Sequence, residues 1–576
     1  MKLMKLKTPY SNTIDRSCPL SEYPRPQFVR DSFFCLNGSW QYSILDGNGG
    51  SLEEGEILVP FPAGSPLSGV EHILQPQEIL FYKKEFTFTK TKKRALLHFE
   101  AVDQIAEVTL NGKRLGSHSG GYTAFAFEIG DLLEENNLLE VRVRDYTNTG
   151  DCLYGKQALK HGGIFYTPTA GIWQSVWIEE LSEEAVEEIK IIPLFDKEKV
   201  ALRLKGNFHN VHVKVLAEGK TVTEIASAEK DFSISLPGFR PWTTEDPFLY
   251  DLIINTGEDE VRSYFGMRCF TKERDRSGLE RFCLNHKPVF LSGLLDQGYI
   301  SESIYTFPCE KALTDELEAI KEMGFNFLRK HVKVECRRWY YHCDRLGILV
   351  FQDIPNGGST YSKLLTMVEG TLGIAHKDDQ YKRFARESLS GQEQYYREAE
   401  EILKQLHDCV SLCGWVPFNE GWGQFDAVKV TEFFRQKDPY RLIDSTSGWF
   451  DQNTGDFLSK HIYFRPYAFR PDKGGRIVLL SEFGGYAFVD KEHVESAHPG
   501  GYKNYKDQEA YMAGLEKLYE RDVRAHIPKG LCGAIYTQVS DVEDECNGLF
   551  TYDRAVCKVD KQRMKKINLA LYQSLG

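Results

Sequence analysis

The chain is long, has enough apolar residues to form packed cores, and is acidic. Its 576 residues exceed what one hydrophobic core can organise, so roughly three or four domains are expected. A formal net charge of −12, without a sustained Lys/Arg run, argues against nucleic acid or anionic membrane as the main partner. The 13 cysteines show no CxxC or Cys/His zinc spacing, and no apolar run could span a bilayer. We therefore expect a soluble cytoplasmic protein with a small-molecule substrate.

The first third of the chain has the pattern of an all-β domain, which we predict to cover residues 1–181. Apolar and polar residues alternate with period two in Gly38–Tyr42, Tyr82–Phe88 and Leu139–Arg144, as they do in half-buried strands. Asn111-Gly112 lies between strand-like runs and predicts a tight hairpin turn, where positive φ costs little.

A second, smaller β domain is predicted over residues 182–274. Short strand-like runs recur at Val200–Leu204, Val211–Val215 and Leu249–Ile254. Their spacing is suited to a β-sandwich.

From about residue 275 to 576 the pattern changes to alternating strands and helices. Helical periodicity is seen in Thr314–Met323 and Gly391–Leu406. The apolar strand candidates are Val289–Ser292, Asn326–Arg329, Ile348–Gln352, Leu412–Phe418, Arg441–Asp444, Lys460–Tyr463, Ile477–Ser481 and Gly533–Thr537. Eight βα units in about 300 residues predict a (β/α)8 TIM barrel, whose catalytic groups lie at the C-terminal ends of its strands.

Two glutamates follow strands of this predicted barrel. Glu420 comes after strand four and Glu482 ends strand seven, so their side chains can converge across the barrel mouth. Hydrolysis of a glycosidic bond uses such a pair, with carboxyls roughly 5 Å apart if configuration is retained and farther apart if it is inverted. The alternative is that each is a solvated loop carboxylate.

Several motifs carry a resemblance to glycoside hydrolase family 2, which includes β-galactosidases, β-glucuronidases and β-mannosidases. Trp415–Glu420 resembles the acid/base signature of that family, and Ser481–Gly484 resembles its nucleophile signature. Asp103–Gly112 is similar to the N-terminal jelly-roll domain, and Gly324–His331 is similar to the second barrel strand. The resemblance implies a jelly roll, an immunoglobulin-like sandwich and a catalytic barrel that retains anomeric configuration.

The same resemblance implies roles for four residues. Glu482 is the expected nucleophile, and it must be ionised to attack. Glu420 is the expected acid/base, and it must be protonated when the glycoside arrives. Asn419 corresponds to the family residue that hydrogen-bonds the sugar 2-hydroxyl, and Tyr463 to the tyrosine that contacts the nucleophile. Tyr463 is alternatively a packing aromatic at a strand end.

Four more residues are candidates for sugar binding, each with a structural alternative. His331 matches a barrel histidine near the sugar hydroxyls, but a single histidine is often a hydrogen-bonded scaffold residue. Arg329 could set the field around Glu482 or serve as an ion-pair partner. Trp422 and Trp449 could stack on a pyranose or belong to the core.

The chain also departs from the family pattern. Glu545–Thr551 lacks the lysine that pairs with a uronate carboxylate in glucuronidases, so a glucuronide is disfavoured. Pro355–Gly358 replaces a magnesium-binding segment of large β-galactosidases, and the acids after strand eight match no metal loop, so we expect no metal or other cofactor. Asp296 or Gln297 is expected to contact sugar hydroxyls where the family often has Arg-Gly and His. A jelly-roll aspartate of the relatives aligns near Phe165, and its contact is expected to be lost.

Two functional hypotheses follow. The first is a retaining exo-β-glycosidase for terminal neutral sugars, most similar to a β-galactosidase, with β-glucuronide, β-mannoside or β-arabinoside as other glycones. The second is a carbohydrate-binding protein that keeps the fold without turnover. The segment 356–391 is a candidate for specificity or for a subunit contact in a homo-oligomer.

Overall fold

The computed structural model describes residues 5–362 and 364–575, with backbone alone at residues 366 and 367. Two antiparallel β-sandwiches precede a parallel barrel along the chain. The structure therefore has the predicted fold class of two β-sandwiches and an eight-stranded barrel. Within the described residues, no helix combines the length and apolar character needed to cross a membrane.

The N-terminal sandwich packs a six-stranded sheet against a four-stranded sheet, with one core between them. Burial alternates along Gly38–Leu45, as its period-two sequence predicts. Asn111 and Gly112 both have positive φ, and they form the predicted hairpin turn. The strands are Phe34–Cys35, Gly38–Leu45, Ser51–Val59, Ile79–Thr87, Arg94–Phe99, Val102–Asp103, Ile105–Leu110, Lys113–Ser119, Phe125–Glu128, Asn136–Arg144, Gly171–Ile172 and Val176–Leu181.

The second sandwich has a three-stranded and a four-stranded antiparallel sheet around its own core. Its strands are Val186–Leu194, Lys199–Gly206, Val211–Ala217, Lys220–Ser227, Asp231–Ser235, Tyr250–Asn255 and Glu260–Phe265. A three-stranded sheet of Phe270–Arg274, Glu280–Leu284 and Lys287–Pro288 then leads into the barrel.

The barrel strands are parallel, and all but strands five and six are buried on both faces, as expected when helices cover the outside. In chain order, barrel strands one to eight are Leu291–Asp296, Phe327–Lys330, Leu349–Asp353, Leu412–Val416, Leu442–Ile443, Phe457–Ile462, Ile477–Gly484 and Leu531–Thr537. The α-helices are Glu310–Glu322, Arg337–Leu346, Gly370–Leu372, Leu389–Gln405, Ala427–Lys437, Gln508–Asp522 and Lys561–Gln573. Each predicted barrel strand overlaps one of these strands.

The eight strands form one sheet in which strand one pairs with strands two and eight. Strands five and six are its two ends, and the Asp456 amide just before strand six donates to the Ile443 carbonyl at 2.7 Å. Strand four ends earlier than predicted, because Pro417 lacks an amide hydrogen for the ladder. Strand pairing resumes at Phe418–Asn419, which pairs with Thr446–Ser447. This short strand places Asn419 at the barrel mouth.

A loop of the N-terminal sandwich, residues 151–169, lies against the barrel mouth, and we call it the bridging loop. The amides of Tyr154 and Gly155 both donate to the carbonyl of Asn356, at 2.9 and 3.0 Å. Gly155 has φ +63°, and a Cβ there would lie 2.4 Å from the Val332 carbonyl oxygen. Glycine therefore allows the close approach that brings this loop to the barrel.

Candidate functional site

Glu420 and Glu482 meet at the C-terminal end of the barrel, and both are buried. One oxygen of each carboxyl and one ring nitrogen of His461 lie within 4.8 Å of one another. Glu482 and His461 come from neighbouring parallel strands and are directly paired in register, so their side chains share the inward face. The two carboxyls therefore have the close spacing that permits direct attack by one of them on a bound sugar.

Glu482 is held from two sides. Arg329 Nη1 donates to its Oε1 at 3.1 Å, and the Tyr463 hydroxyl donates to its Oε2. Arg329 is itself fixed by two 2.9 Å bonds to Asp353 and by a 2.7 Å bond from Nη2 to Asn419 Oδ1. Charge-assisted hydrogen bonds of this kind are short and strong, so they fix the position of the Glu482 carboxyl.

Glu420 has a different environment. Burial raises its pKa to about 7, while Lys156 and Arg329 oppose the rise and Glu545 adds to it. Its backbone has φ +50°, in the left-handed region that non-glycine residues rarely adopt, and Gly421 follows with φ +75°. A carboxyl with a raised pKa can keep its proton near neutrality and deliver it to a leaving group.

His461 lies between the two carboxyls. Its Nδ1 is 2.8 Å from Glu420 Oε1, and its Nε2 is 3.2 Å from Ser447 Oγ and 3.5 Å from Glu482 Oε1. Burial lowers the pKa of His461 to about 3, so the ring is neutral. A neutral imidazole can accept a hydrogen bond from protonated Glu420, and its other tautomer can donate to the carboxylate.

A wall of polar side chains continues from the carboxyls. Gln297 Oε1 lies 2.9 Å from His331 Nδ1, and Gln297 Nε2 donates to Gln538 Oε1 at 2.8 Å. Within the described residues, His331 Nε2, Asn419 Nδ2 and Gln538 Nε2 are buried without hydrogen-bond partners. Buried polar atoms normally have partners, so Gln538 Nε2 is available to a hydroxyl of a bound ligand. Asn419 also acts on the pKa of His331 as a side-chain hydrogen-bond partner, and His331 Nε2 lies 3.5 Å from Glu482 Oε1, so a ligand would share these two atoms with the protein.

Aromatic rings surround the polar wall. The ring of Trp422 lies 5.5 Å from that of Phe165 and 6.2 Å from that of His331. Trp449 packs 6.2 Å from His461, and Tyr502 stacks on Tyr463 at 4.1 Å. Both tryptophans are thus beside the carboxyl pair, where an aromatic face can contact the apolar side of a sugar.

Asp296 points elsewhere. It is paired in register with Lys330, one residue after the inward-facing Arg329, so Asp296 and Lys330 face the helices. Asp296 Oδ2 accepts from Lys330 Nζ at 2.7 Å, and Oδ1 accepts from the Gly298 amide at 2.9 Å. Gln297, which follows Asp296, is directed to the mouth. Of these two candidates for sugar contact, the geometry supports only Gln297.

We expect Asp296→Asn to change stability rather than sugar binding. It leaves the buried Lys330 ammonium with one charged partner fewer, which should lower the free energy of unfolding by about 3 kcal/mol. Urea unfolding checks the stability, and KM of the folded variant checks binding. A KM increase of tenfold or more with unchanged stability would contradict the assignment. Gln297→Leu is the matched variant that should raise KM.

Sequence reasoning missed four residues here: Lys156, His461, Tyr502 and Gln538. A signal for His461 was present, because it is two positions before Tyr463 on a strand and must share its face. No local pattern indicates Lys156 or Tyr502, which reach the mouth on loops. The group Glu420, His461 and Glu482 could geometrically hold a cation. Arg329 and Tyr463 already contact both Glu482 oxygens, so their geometry gives no reason to assign one.

The fold and site together define a multidomain barrel protein with a paired-carboxylate site. Three sequence models of one family match consecutive parts of it: "Glycosyl hydrolase 2 galactose-binding domain-like" at residues 74–170, "Glycosyl hydrolases family 2" at 183–268, and "Glycosyl hydrolases family 2, TIM barrel domain" at 278–478. The chain belongs to glycoside hydrolase family 2. The barrel match includes Glu420 and ends before Glu482.

Relatives of the chain carry more than one activity in their names. It is 30% identical over 301 residues to a β-galactosidase of Thermoanaerobacterium thermosulfurigenes, covering 46% of this chain and 40% of that protein. It is 26% identical over 471 residues to a β-glucuronidase of Bacteroides fragilis, covering 75% of this chain and 63% of that protein. The chain matches 35%, 46% and 40% of the length of three curated relatives.

The fold is also that of solved structures. A β-D-glucuronidase from Dictyoglomus thermophilum superposes with a TM-score of 0.75 at 17% identity, covering 94% of this chain and 98% of that one. At this identity the likeness concerns the fold alone. The predicted domain limits at 181 and 274 stay predictions, although each family model lies within one predicted domain.

Proposed function

We propose that this chain is a retaining exo-β-glycosidase that releases a terminal neutral sugar, with β-galactosidase-like activity. The observation that carries the proposal is the close approach of Glu420 and Glu482, with oxygens within 4.8 Å. That spacing suits a retaining pair, because an inverting pair must leave room for a water molecule between carboxyl and sugar.

The two carboxyls have different surroundings, and we assign them different roles in two steps. In the first step the Glu482 oxygen bonds to the anomeric carbon, the glycosidic C–O bond breaks, and Glu420 gives its proton to the departing oxygen. In the second step Glu420 takes a proton from water, the water oxygen bonds to the anomeric carbon, and the Glu482 ester bond breaks. Two inversions return the original configuration.

The surrounding side chains support these steps. Arg329 and Tyr463 hold Glu482 by hydrogen bonds and can stabilise it as it leaves in the second step. Arg329 Nη2 also donates to Asn419 Oδ1, which fixes the amide so that its Nδ2 is left to donate to a sugar hydroxyl or to His331. His331, Gln297 and the two tryptophans complete the proposed sugar-binding surface.

A neutral glycone fits the charges of the site. Arg329 is matched by Asp353 and Glu482, and Lys156 is paired with Glu545 at 3.4 Å. No unpaired cation among these groups remains for a uronate carboxylate. The glucuronidase names among the relatives keep a uronide as the second candidate, and Lys156 is the observation in its favour.

The test is a panel of aryl β-glycosides: galactoside, glucoside, mannoside, glucuronide, arabinoside and fucoside. Wild type is compared with Glu482→Gln and with Glu318→Gln, an exposed helix position that serves as control. We expect release from a neutral sugar by wild type and the control alone. Proton NMR during turnover should show the β-anomer as first product. Absence of release by folded wild type would favour the carbohydrate-binding hypothesis, and the α-anomer would exclude retention.

We expect His461→Asn to lower kcat/KM by about 10- to 100-fold, because a catalytic group displaced by an ångström loses about that much. Asparagine keeps a polar atom near the position of Nδ1, whereas His461→Leu removes it and should lose more. The measurement is kcat/KM against pH for both variants. Equal losses in Asn and Leu variants, without a change in the pH profile, would assign His461 to packing alone.

A further inference from the structure

Lys156 is a buried cation that the bridging loop delivers to the barrel mouth. Its side chain is only 6% exposed. Its Nζ lies 3.2 Å from the Tyr166 hydroxyl and 3.4 Å from Glu545 Oε2. The Tyr166 hydroxyl donates to that same oxygen of Glu545. The pair therefore joins the N-terminal sandwich to the loop after barrel strand eight.

This pair faces the carboxyl site. Lys156 Nζ lies 6.0 Å from the ring centre of Trp422, whose ring is 6.2 Å from that of His331. After burial, the charge of Lys156 is the next cause of the lowered pKa of His331, and it opposes the burial-raised pKa of Glu420. Both effects agree with the 6.0 Å approach to Trp422 in placing the ammonium beside His331 and Glu420.

The ammonium has hydrogen-bonding capacity to spare. It carries three N–H donors, and two protein acceptors contact it within the described residues. The unpartnered Gln538 Nε2 and both side-chain polar atoms of Asn547 belong to the same post-strand-eight region as Glu545. A buried donor beside a buried carboxylate suits a ligand group that can both accept and donate.

We propose that Lys156 and Glu545 form a subsite for neighbouring hydroxyls of a neutral glycone, and that Glu545 makes the site reject a uronate. This rests on the proposed function and extends it to the choice of sugar. Lys156 donates to one hydroxyl oxygen and Glu545 accepts from the next hydroxyl. A substrate carboxylate would meet the Glu545 carboxylate as a like charge and would find Lys156 already neutralised.

The decisive variant is Glu545→Gln, which removes the charge and keeps the shape. Lys156 is then unpaired, so hydrolysis of the aryl β-galacturonide or β-glucuronide should rise about tenfold relative to wild type, while that of the matching neutral glycoside falls about tenfold. The readout is the ratio of kcat/KM values at one pH. Because Glu420 protonates either substrate, a shift in its pKa cancels in the ratio.

Two further variants separate charge from structure. Lys156→Met should lose activity on the neutral glycoside without gaining activity on the uronide. The double variant Lys156→Met/Glu545→Gln should lack the increase in uronide hydrolysis expected for Glu545→Gln. Glu543→Gln is the matched control, since Glu543 lies on the same loop and accepts from the Thr167 amide. Its ratio should match wild type. A ratio within about twofold of wild type for Glu545→Gln, or equal gains in Glu543→Gln, would overturn the subsite.

A binding measurement keeps this result distinct from failure of the proposed function. Galactose and galacturonate are titrated calorimetrically into Glu482→Gln and into Glu482→Gln/Glu545→Gln. A preference that moves from galactose to galacturonate supports the subsite even if wild type hydrolyses none of the panel. An unchanged preference overturns the subsite even if hydrolysis is established.

Discussion

Glu482→Gln is expected to lower kcat by about 10⁴- to 10⁶-fold, the range typical for loss of a nucleophile. The amide is isosteric but cannot form the ester with the anomeric carbon. Arg329 still finds an acceptor oxygen in the amide, so the fold and KM should change little. The measurement is the release of a good aryl leaving group, with a thermal melt to show that the variant is folded.

The stereochemistry of rescue identifies the nucleophile independently. In Glu482→Ala, added azide can attack the anomeric carbon from the vacated side, which gives an α-glycosyl azide from a β-glycoside by one inversion. Rescue that yields the β-azide would place the nucleophile elsewhere. Asp353→Asn is the informative comparison, because Asp353 contacts Arg329 and not the sugar. This variant should have lower activity, and azide should not restore it.

Glu420→Gln is expected to abolish the basic limb of the pH profile. Burial raises the pKa of Glu420 to about 7. Its acid form, needed to protonate the leaving oxygen, dominates below that pH and is lost as the pH rises through it. Wild-type kcat/KM should therefore fall above about pH 7, and the non-titrating glutamine variant should show no such fall. General acid catalysis is worth roughly 10²- to 10⁴-fold.

The size of this effect should depend on the leaving group. The leaving group of a dinitrophenyl glycoside hardly needs a proton donor, so Glu420→Gln should still cleave its glycosidic bond at a similar rate. The second step needs a base to activate water, so it should become slow in this variant. KM should then fall together with kcat. Azide added to Glu420→Ala should give the β-glycosyl azide, opposite to the product expected for Glu482→Ala. An unchanged basic limb in the variant would assign the titration to another group.

The sequence alone determined the architecture and the pair of glutamates. Burial alternates along Gly38–Leu45 and is continuous along Ile477–Gly484. Both patterns can be read from the order of apolar and polar residues, because a half-buried strand carries them alternately and a fully buried strand carries mostly apolar ones. The order of βα units then fixes the ends of strands four and seven at the same mouth. The motifs around Glu420 and Glu482 also predicted membership of glycoside hydrolase family 2, which the comparisons confirm.

Tertiary structure alone decided what surrounds the pair. Asp296 and Gln297 are adjacent in sequence, yet strand alternation turns one to the helices and the other to the mouth. Lys156 lies 389 residues from Glu545 along the chain, and only docking of the bridging loop brings them to 3.4 Å. The pKa of Glu420 has the same origin, because burial and Glu545 raise it, Lys156 opposes the rise, and these groups come from separate segments. Local pattern encodes the faces of strands, whereas electrostatics depends on every group packed nearby.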